Sequence, residues 1–357
     1  MVSCRCVEWK PQTVPNEAIN SAVEGSVAAP TAPPKSRLVY WIIAFAIAGV
    51  LLYYSLRGID WAEVWHLLSR ADLKYVTLAF GIASVALLLR ALRWRILLRS
   101  RGPVDIPTAF WATSAGYFGN NFLPARAGEL VRTMMVSARA GLSKTFVLTT
   151  ALSERLSDAI ILVIISSVVL LTLPVRPGWF DRAAKPFGVI GLAGALAIAI
   201  LPKLEPLWNH LLRRAPLPHT LRDKLQHTLE HILSGIRAFH DPGRLLRFLG
   251  ATLVIWLLDA CGTVVGVHAL GMAVSLPVAF LLITGLALGS ALPSTPGYVG
   301  IYQFVAVSVL MPFGFSRTDA IAYILLAQAL QYVLTTFWGV LAFTRSRRVN
   351  VRATAAA

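Results

Sequence analysis

Charged residues in the interior of apolar runs are where this sequence has chemistry to offer. Ser153-Glu154-Arg155-Leu156-Ser157-Asp158 falls in the middle of the apolar stretch 145–173. An acid or base at the centre of a bilayer-crossing helix costs about 2.5–3.5 kcal/mol on insertion scales, so it is retained for a reason. On a helix Glu154 and Asp158 are four apart and Arg155 and Asp158 three apart, which makes them neighbours on a face that must look into protein or water. That face is either a buried ion cluster that orders a helix bundle or part of a polar pathway, in which Arg155 meets a phosphate and an acid meets a cation or a proton. Asp259, in Trp256-Leu257-Leu258-Asp259, also sits in mid-run with no sequence-local partner. It is either protonated or set against Arg126 or Arg155.

Two Pro- and Gly-rich interruptions add polar groups to this set. The first, Asn120 to Arg132, contains Asn120 and Asn121 as amide donors and acceptors, Pro124 to stop a helix, Gly128 to permit close approach, and Arg126, Glu129 and Arg132 for charge. A half-helix starting just after Pro124 or Gly128 would aim its free amide groups at the tip and favour an anion there. Arg126 adds a planar donor fork suited to a phosphodiester; alternatively Arg126 and Glu129 simply neutralise one another. The second interruption, Pro293-Ser294-Thr295-Pro296-Gly297-Tyr298-Val299-Gly300, is uncharged. Pro293, Pro296, Gly297 and Gly300 read as a hinge, and ligand contacts there fall to backbone groups, Ser294, Tyr298 or Gln303.

The elements that must hold these residues are membrane helices. Of 357 residues 56% are hydrophobic and 14% charged, and mean hydropathy is +0.66, which excludes an ordinary water-soluble domain. About 20 residues cross the hydrocarbon, and six stretches meet or approach that length: 38–56, 75–92, 145–173, 187–202, 247–271 and 319–343. Regions 106–131 and 276–311 are apolar but broken by the two interruptions, and each is expected to re-enter the membrane as two half-helices. With both termini cytoplasmic, this layout places 23 Lys and Arg on the inner side and 7 on the outer, the bias expected of membrane topology. The net charge of +16 therefore reports orientation rather than nucleic-acid binding. Halves 38–173 and 187–343 repeat the order helix, helix, broken region, helix. An odd number of crossings per half makes them an inverted repeat, with both broken tips aimed at a midplane site.

The fold class expected is thus an all-α integral membrane protein of six full spans and two broken re-entrant regions. Residues 1–36 read as a disordered tail, 37–345 as the transmembrane domain, and 346–357 as a basic tail. Segment 203–246 has Leu221, Leu225, Leu229, Ile232 and Ile236 at helical spacing, with basic residues on other faces, as in a helix lying on the cytoplasmic leaflet. Arg90, Arg93, Trp94 and Arg95 are read as interfacial anchors at a helix end. His227-x-x-Glu230-His231 spells an inverted zinc-peptidase pattern without an evident third ligand, so no metal site is assigned. Gly141-Leu142-Ser143-Lys144-Thr145 lacks the glycine that a phosphate-binding loop needs before its lysine. No cofactor is expected.

Arg93-Trp94, Asn121-x-Leu123-Pro124-x-Arg126-x-Gly128-Glu129-x-x-Arg132, Glu154-Arg155-x-x-Asp158 and Pro296-Gly297-x-x-Gly300 together resemble the lysylphosphatidylglycerol synthase transmembrane-region family of flippase-like membrane proteins. The resemblance covers roughly residues 38–343. It implies an inner-membrane domain that moves a modified lipid between leaflets, with Asn121, Arg126, Glu129, Arg132, Glu154, Arg155 and Asp158 as the matching residues. The chain stops at Ala357 without the soluble transferase of the aminoacyl-lipid synthases, so lysyl-lipid synthesis is not expected. The expectation is a lipid translocator handling a phosphate-bearing headgroup. The competing readings are an intramembrane enzyme acting on a polyprenyl-phosphate or lipid-linked sugar, and a membrane anchor for a separate cytoplasmic lipid-modifying enzyme. Membrane lipids are the expected partners, nucleic acid is not, and the cell (inner) membrane is the expected location.

Overall fold

A computed structural model of the chain describes residues 35–123, 127–172, 241–290 and 296–355, with isolated positions between 189 and 226. Residues 1–43 and 44–357 form separate compact units. In the first, only the start of a helix is described. Among the described residues all regular structure is helical: α1 (Lys35–Leu56), α2 (Trp61–Ser69), α3 (Leu73–Leu98), α4 (Ile106–Phe122), α5 (Gly128–Ala140), α6 (Lys144–Thr172), α7 (Pro242–His268), α8 (Leu276–Gly289), α9 (Ile301–Leu310) and α10 (Arg317–Ala355). Short 3-10 turns lie at Pro296–Tyr298 and Met311–Phe313.

Local chemistry fixes where these helices start and stop. Asp60, Asp72, Asp105 and Asp241 precede α2, α3, α4 and α7, and each carboxylate accepts a hydrogen bond from a first-turn backbone N–H. Pro107 and Pro242 occupy the first turns of α4 and α7, where a missing N–H costs nothing. Gly141 closes α5 in the left-handed conformation at φ 66°.

Among the described residues three helices are long and apolar enough to cross a membrane: Leu73–Leu98, Pro242–His268 and residues 317–345 of α10. The 29-residue α6 matches them in length but carries Glu154, Arg155 and Asp158. On α7, Leu246, Leu249, Leu253 and Leu257 are exposed at three-to-four spacing, an outward apolar stripe that suits lipid rather than water. Of the six spans expected, 187–202 lies outside the described residues apart from isolated positions. The amphipathic segment 203–246 likewise falls outside them apart from isolated positions and its last residues, 241–246, which cap and open α7, and the His227/His231 pair lies outside them.

Both broken regions fold back as antiparallel helical hairpins rather than kinked continuous helices. In the first, α4 and α5 cross where glycine meets glycine: a Cβ on Gly128 would stand 1.9 Å from the Gly116 carbonyl oxygen and 2.6 Å from the Asn120 nitrogen. In the second, a Cβ on Gly285 would stand 2.7 Å from Val305 Cγ1, and one on Gly289 2.9 Å from Ile301 Cγ2. Small residues let helix backbones approach closely where lipid supplies no hydrophobic driving force for association.

The packing pairs follow a pattern. α3 lies along α7 at the centre. α4 packs on α3, on α5 and on α10, while α8 packs on α7, on α9 and on α6; α5 contacts α6 as α9 contacts α10. The 3-10 turn Pro296–Tyr298 at the tip of the second hairpin packs against α4 of the first. Buried apolar clusters sit at these seams: Trp94, Val136, Phe146 and Ala151, Leu270, Leu282, Leu310 and Ile324, and Leu162, Ala260, Ala279 and Ile283.

Candidate functional site

The site is built around Arg93. Far from anchoring a helix end at the membrane surface, its side chain is 1% exposed, inside the bundle on α3. Its Nη1 and Nη2 donate to the two oxygens of Asp158 at 2.5 and 2.9 Å, Nε and Nη2 donate to Glu154 at 3.2 and 2.7 Å, and Nη1 also donates to Thr252 Oγ1 at 3.0 Å. All five guanidinium donors are therefore engaged. Trp94, also read as an anchor, is fully buried, and its indole N–H donates to Thr150 Oγ1 at 3.2 Å. The interfacial reading fails because helix-end arginines are interfacial only where no buried acid awaits them. Here Glu154 and Asp158, some 60 residues away in sequence, occupy one face of α6 opposite Arg93.

From Arg93 the charges alternate toward α5. Glu154 also accepts from Arg132 Nη1 at 3.1 Å; Arg132 Nε donates to Glu129 at 2.5 Å; and Glu129 accepts from Arg155 Nε at 3.1 Å. The order is Asp158, Arg93, Glu154, Arg132, Glu129, Arg155, three acids and three bases. Arg132 lies over the Trp94 ring at 4.5 Å and Arg155 over Tyr117 at 5.2 Å, so aromatic faces replace water on the remaining sides. Asn120 Nδ2 reaches Glu129 at 3.4 Å, and Asn121 donates to Thr335 Oγ1 on α10 at 2.7 Å.

Asp259 has a different partner from either expected one. It pairs with Arg90, one turn before Arg93 on α3, which also lies 5.8 Å from the centroid of Trp256. Arg90 is thus a cross-helix ion-pair partner and not an interfacial anchor. The close run of α3 along α7 brings the two together across 169 positions of sequence.

These groups border a cavity of about 630 Å³. Arg155, Glu129, Asp158, Arg90, Asp259 and Asn120 contribute to its charged and amide wall, whereas Arg93, Arg132 and Glu154 stand behind that wall and hold it. Asn121 also lines the cavity beside Tyr117. A second wall comes from the tip of the second hairpin and from α10, with Tyr298, Tyr302, Gln328, Gln331 and Tyr332. Backbone detail fixes this wall. Gly297 and Gly300 adopt φ 70° and 90°, and Tyr298 sits at φ 60°, a conformation costing a non-glycine residue about 1–3 kcal/mol. Gly297 lies so close beneath Tyr332 that an added Cβ would stand 1.5 Å from its hydroxyl, and Gly300 packs on the Ala48 backbone. Gln303, buried at the start of α9, accepts from the Gly300 N–H at 2.8 Å and donates to Gln328 at 2.6 Å; Gln328 donates to the Gly297 carbonyl at 2.9 Å.

Pro124, Arg126, Pro293 and Ser294 lie outside the described residues, and Pro296 opens the tip turn. Sequence reasoning passed over Gln328, Gln331, Tyr332 and Thr335. Their three-to-four spacing within an apolar helix is a polar stripe that would have flagged them.

Residues 41–339 match the lysylphosphatidylglycerol synthase TM region as a family. Over 335 residues the chain is 27% identical to Glycosyltransferase AglD of Haloferax volcanii, a match covering 84% of this chain and 52% of that protein. Over 342 residues it is 22% identical to the UPF0104 membrane protein PH1989 of Pyrococcus horikoshii, covering 87% of this chain and 98% of that protein. The chain therefore spans about half the length of the glycosyltransferase and nearly all of the second relative.

Proposed function

The chain belongs to the lysylphosphatidylglycerol synthase TM-region family of membrane proteins, and from that premise we propose that it moves a phosphate-bearing lipid headgroup between leaflets through the cavity. The observation that carries this reading is Arg155: its side chain is 34% exposed, on the cavity wall, while the other bases of the alternating string are buried. A guanidinium presented to a cavity among apolar helices suits a phosphate whose acyl chains stay in lipid. The string as a whole, Arg155 included, balances three acids with three bases, which lowers the cost of keeping it inside a membrane.

Support for an inverted repeat comes from the packing pattern. Exchanging α3 with α7, the first hairpin with the second, and α6 with α10 reproduces the contacts α3–α4 and α7–α8, α4–α10 and α8–α6, α5–α6 and α9–α10. Two hairpins entering from opposite sides, with their tips meeting at the cavity, give a route for alternating access. In this reading the six-span layout holds, both termini are cytoplasmic in the cell (inner) membrane, and the half-helix N-terminus of α5 adds its amide groups to the phosphate site.

The test is leaflet accessibility of headgroup-labelled lipids in liposomes containing the purified protein, with Glu129→Gln alongside. Movement of one lipid class that fails in the variant supports translocation; no movement of any lipid, with or without an ion gradient, defeats it.

The glycosyltransferase relative favours a second reading, an intramembrane enzyme acting on a polyprenyl-phosphate or lipid-linked sugar with Glu129 or Asp158 as general base. A labelled lipid-linked precursor that changes composition, and not merely leaflet, would establish it. A membrane anchor for a separate lipid-modifying enzyme would instead copurify with a stoichiometric partner.

A further inference from the structure

The cavity has two walls of different chemistry, and only one of them suits a phosphate. The charged wall, from α3, α5, α6 and α7, carries Arg155, Glu129, Arg90 and Asp259. A second set, from the second hairpin tip and α10, carries no charge: Tyr298, Tyr302 and Tyr332 supply aromatic surface, and Gln328 and Gln331 supply amides. A lipid with a bare phosphate leaves this set without a role, and one with a cationic amine would use the aromatic faces but not the neutral amides beside them.

The arrangement is specific in three respects. Tyr298 and Tyr302 stack face to face, centroids 4.9 Å apart and planes 12° from parallel. Tyr298 holds that position at a positive φ that a tyrosine rarely adopts. The chain Gly300 N–H to Gln303, Gln303 to Gln328, Gln328 to the Gly297 carbonyl fixes the tip turn against α10, so the tyrosine pair and Gln331 are borne on one braced unit. Gln331 is exposed and forms no side-chain hydrogen bond among the described residues, which leaves a donor and an acceptor facing the cavity. Flat aromatic faces beside neutral amides are the surface that a polyhydroxylated ring recognises. The ring's C–H face packs on the aromatic surface, and its hydroxyls exchange hydrogen bonds with the amide without charge to desolvate.

Resting on the translocation reading for the phosphate, we propose that the second hairpin and α10 form a polyhydroxyl subsite, and that the headgroup handled by this protein is a phosphodiester bearing a neutral sugar or cyclitol ring. Arg155 takes the phosphate, and Tyr302 and Gln331 contact the ring. A polyprenyl phosphosugar and a phosphoinositol glycerolipid share this chemistry.

The experiment measures binding to the full chain in detergent with diesters of equal charge. Citronellyl phosphoglucose is compared with citronellyl methyl phosphate, and dioctanoyl phosphatidylinositol with dioctanoyl phosphatidylmethanol. The expected result is at least tenfold tighter binding of the ring-bearing diester in one or both pairs, and the pair that shows it identifies the lipid source. Gln331→Ala and Tyr302→Leu lower that preference at least threefold while leaving the methyl diester unaffected, whereas Arg155→Ala weakens ring-bearing and methyl diesters alike. Equal affinities within both pairs, a preference untouched by both wall variants, or no binding of any diester would overturn the subsite. In liposomes, absence of leaflet exchange with the binding preference intact would refute translocation and keep the subsite; exchange of ring-bearing and methyl diesters at one rate, without a binding preference, would refute the subsite and keep translocation.

Discussion

Arg155 Nη2 meets Glu129 Oε1 at 3.1 Å, with the arginine side chain 34% exposed and the glutamate 12%. The pair joins the two regimes of the site. On one side Glu129 is tied through Arg132 into the buried string; on the other the guanidinium borders the cavity. Under the proposed translocation, a phosphate entering the cavity would compete with Glu129 for the same donors.

Removing the exposed base should therefore separate transport from folding. Arg155→Ala is expected to lower headgroup translocation at least tenfold in liposomes while the protein remains monodisperse in detergent. Arg155→Lys should retain part of the activity, because the charge persists and the planar fork is lost. Full transport by Arg155→Ala would remove Arg155 from the phosphate site.

Arg93 should behave in the opposite way. Arg93→Ala strands Asp158 among apolar helices and leaves Glu154 with Arg132 alone, and breaking a buried pair in this manner destabilises by about 3–5 kcal/mol. Thermal unfolding in detergent should show a large drop in midpoint or loss of folded protein. Replacing the whole group with Arg93→Met, Glu154→Gln and Asp158→Asn together should recover much of that loss. An unchanged midpoint for Arg93→Ala alone would mean that the string is not what orders α3 against α6.

The Arg90 and Asp259 pair ties the two central helices and can be tested by reversal. Arg90→Asp and Asp259→Arg singly place like charges against one another between α3 and α7 and should each reduce the yield of folded protein. The double reversal should restore it, with a coupling energy of about 0.5–3 kcal/mol in the cycle. Additive losses would place the two residues out of contact.

Gly128 and Gly297 should refuse even a methyl group, for different reasons. Gly128→Ala drives a Cβ into the Gly116 carbonyl and should cost about 1–3 kcal/mol of overpacking in the first hairpin. Gly297→Ala adds strain at φ 70° and displaces the Tyr332 hydroxyl, which should alter ligand binding on the uncharged wall before it alters overall stability. Wild-type unfolding midpoints together with wild-type diester binding in both variants would contradict these contacts.

Much of the helical layout could be read directly from the letters. The apolar stretches fall on α1, α3, α6, α7 and α10, and the two Pro/Gly interruptions fall at the turns between α4 and α5 and between α8 and α9. These features are local: a run of apolar side chains sets where a helix can exist in lipid, an Asp before it supplies the first free N–H groups with an acceptor, and Pro with Gly ends it. The presence of charge inside α6 was equally local, as was the grouping of Asn120, Asn121, Glu129 and Arg132 at one tip.

Pairing was not local, and tertiary structure alone decided it. Arg93 stands at the end of an apolar run beside Arg95 and Arg99, the usual position of a surface anchor, and nothing within a helical turn shows that Glu154 and Asp158 will close on it. Asp259 offered no partner in its own segment because its partner is on the neighbouring helix. The division of the charged residues into those that border the cavity, Arg155, Glu129, Asp158, Arg90 and Asp259, and those that brace it, Arg93, Arg132 and Glu154, also depends on how α3, α5, α6 and α7 rotate about their axes. The sequence determined that this chain is a helical membrane protein keeping an unusual amount of charge in its interior. Only the packing of the helices decided which charges neutralise one another and which border the cavity, because Coulomb energy depends on distance in space and not along the chain.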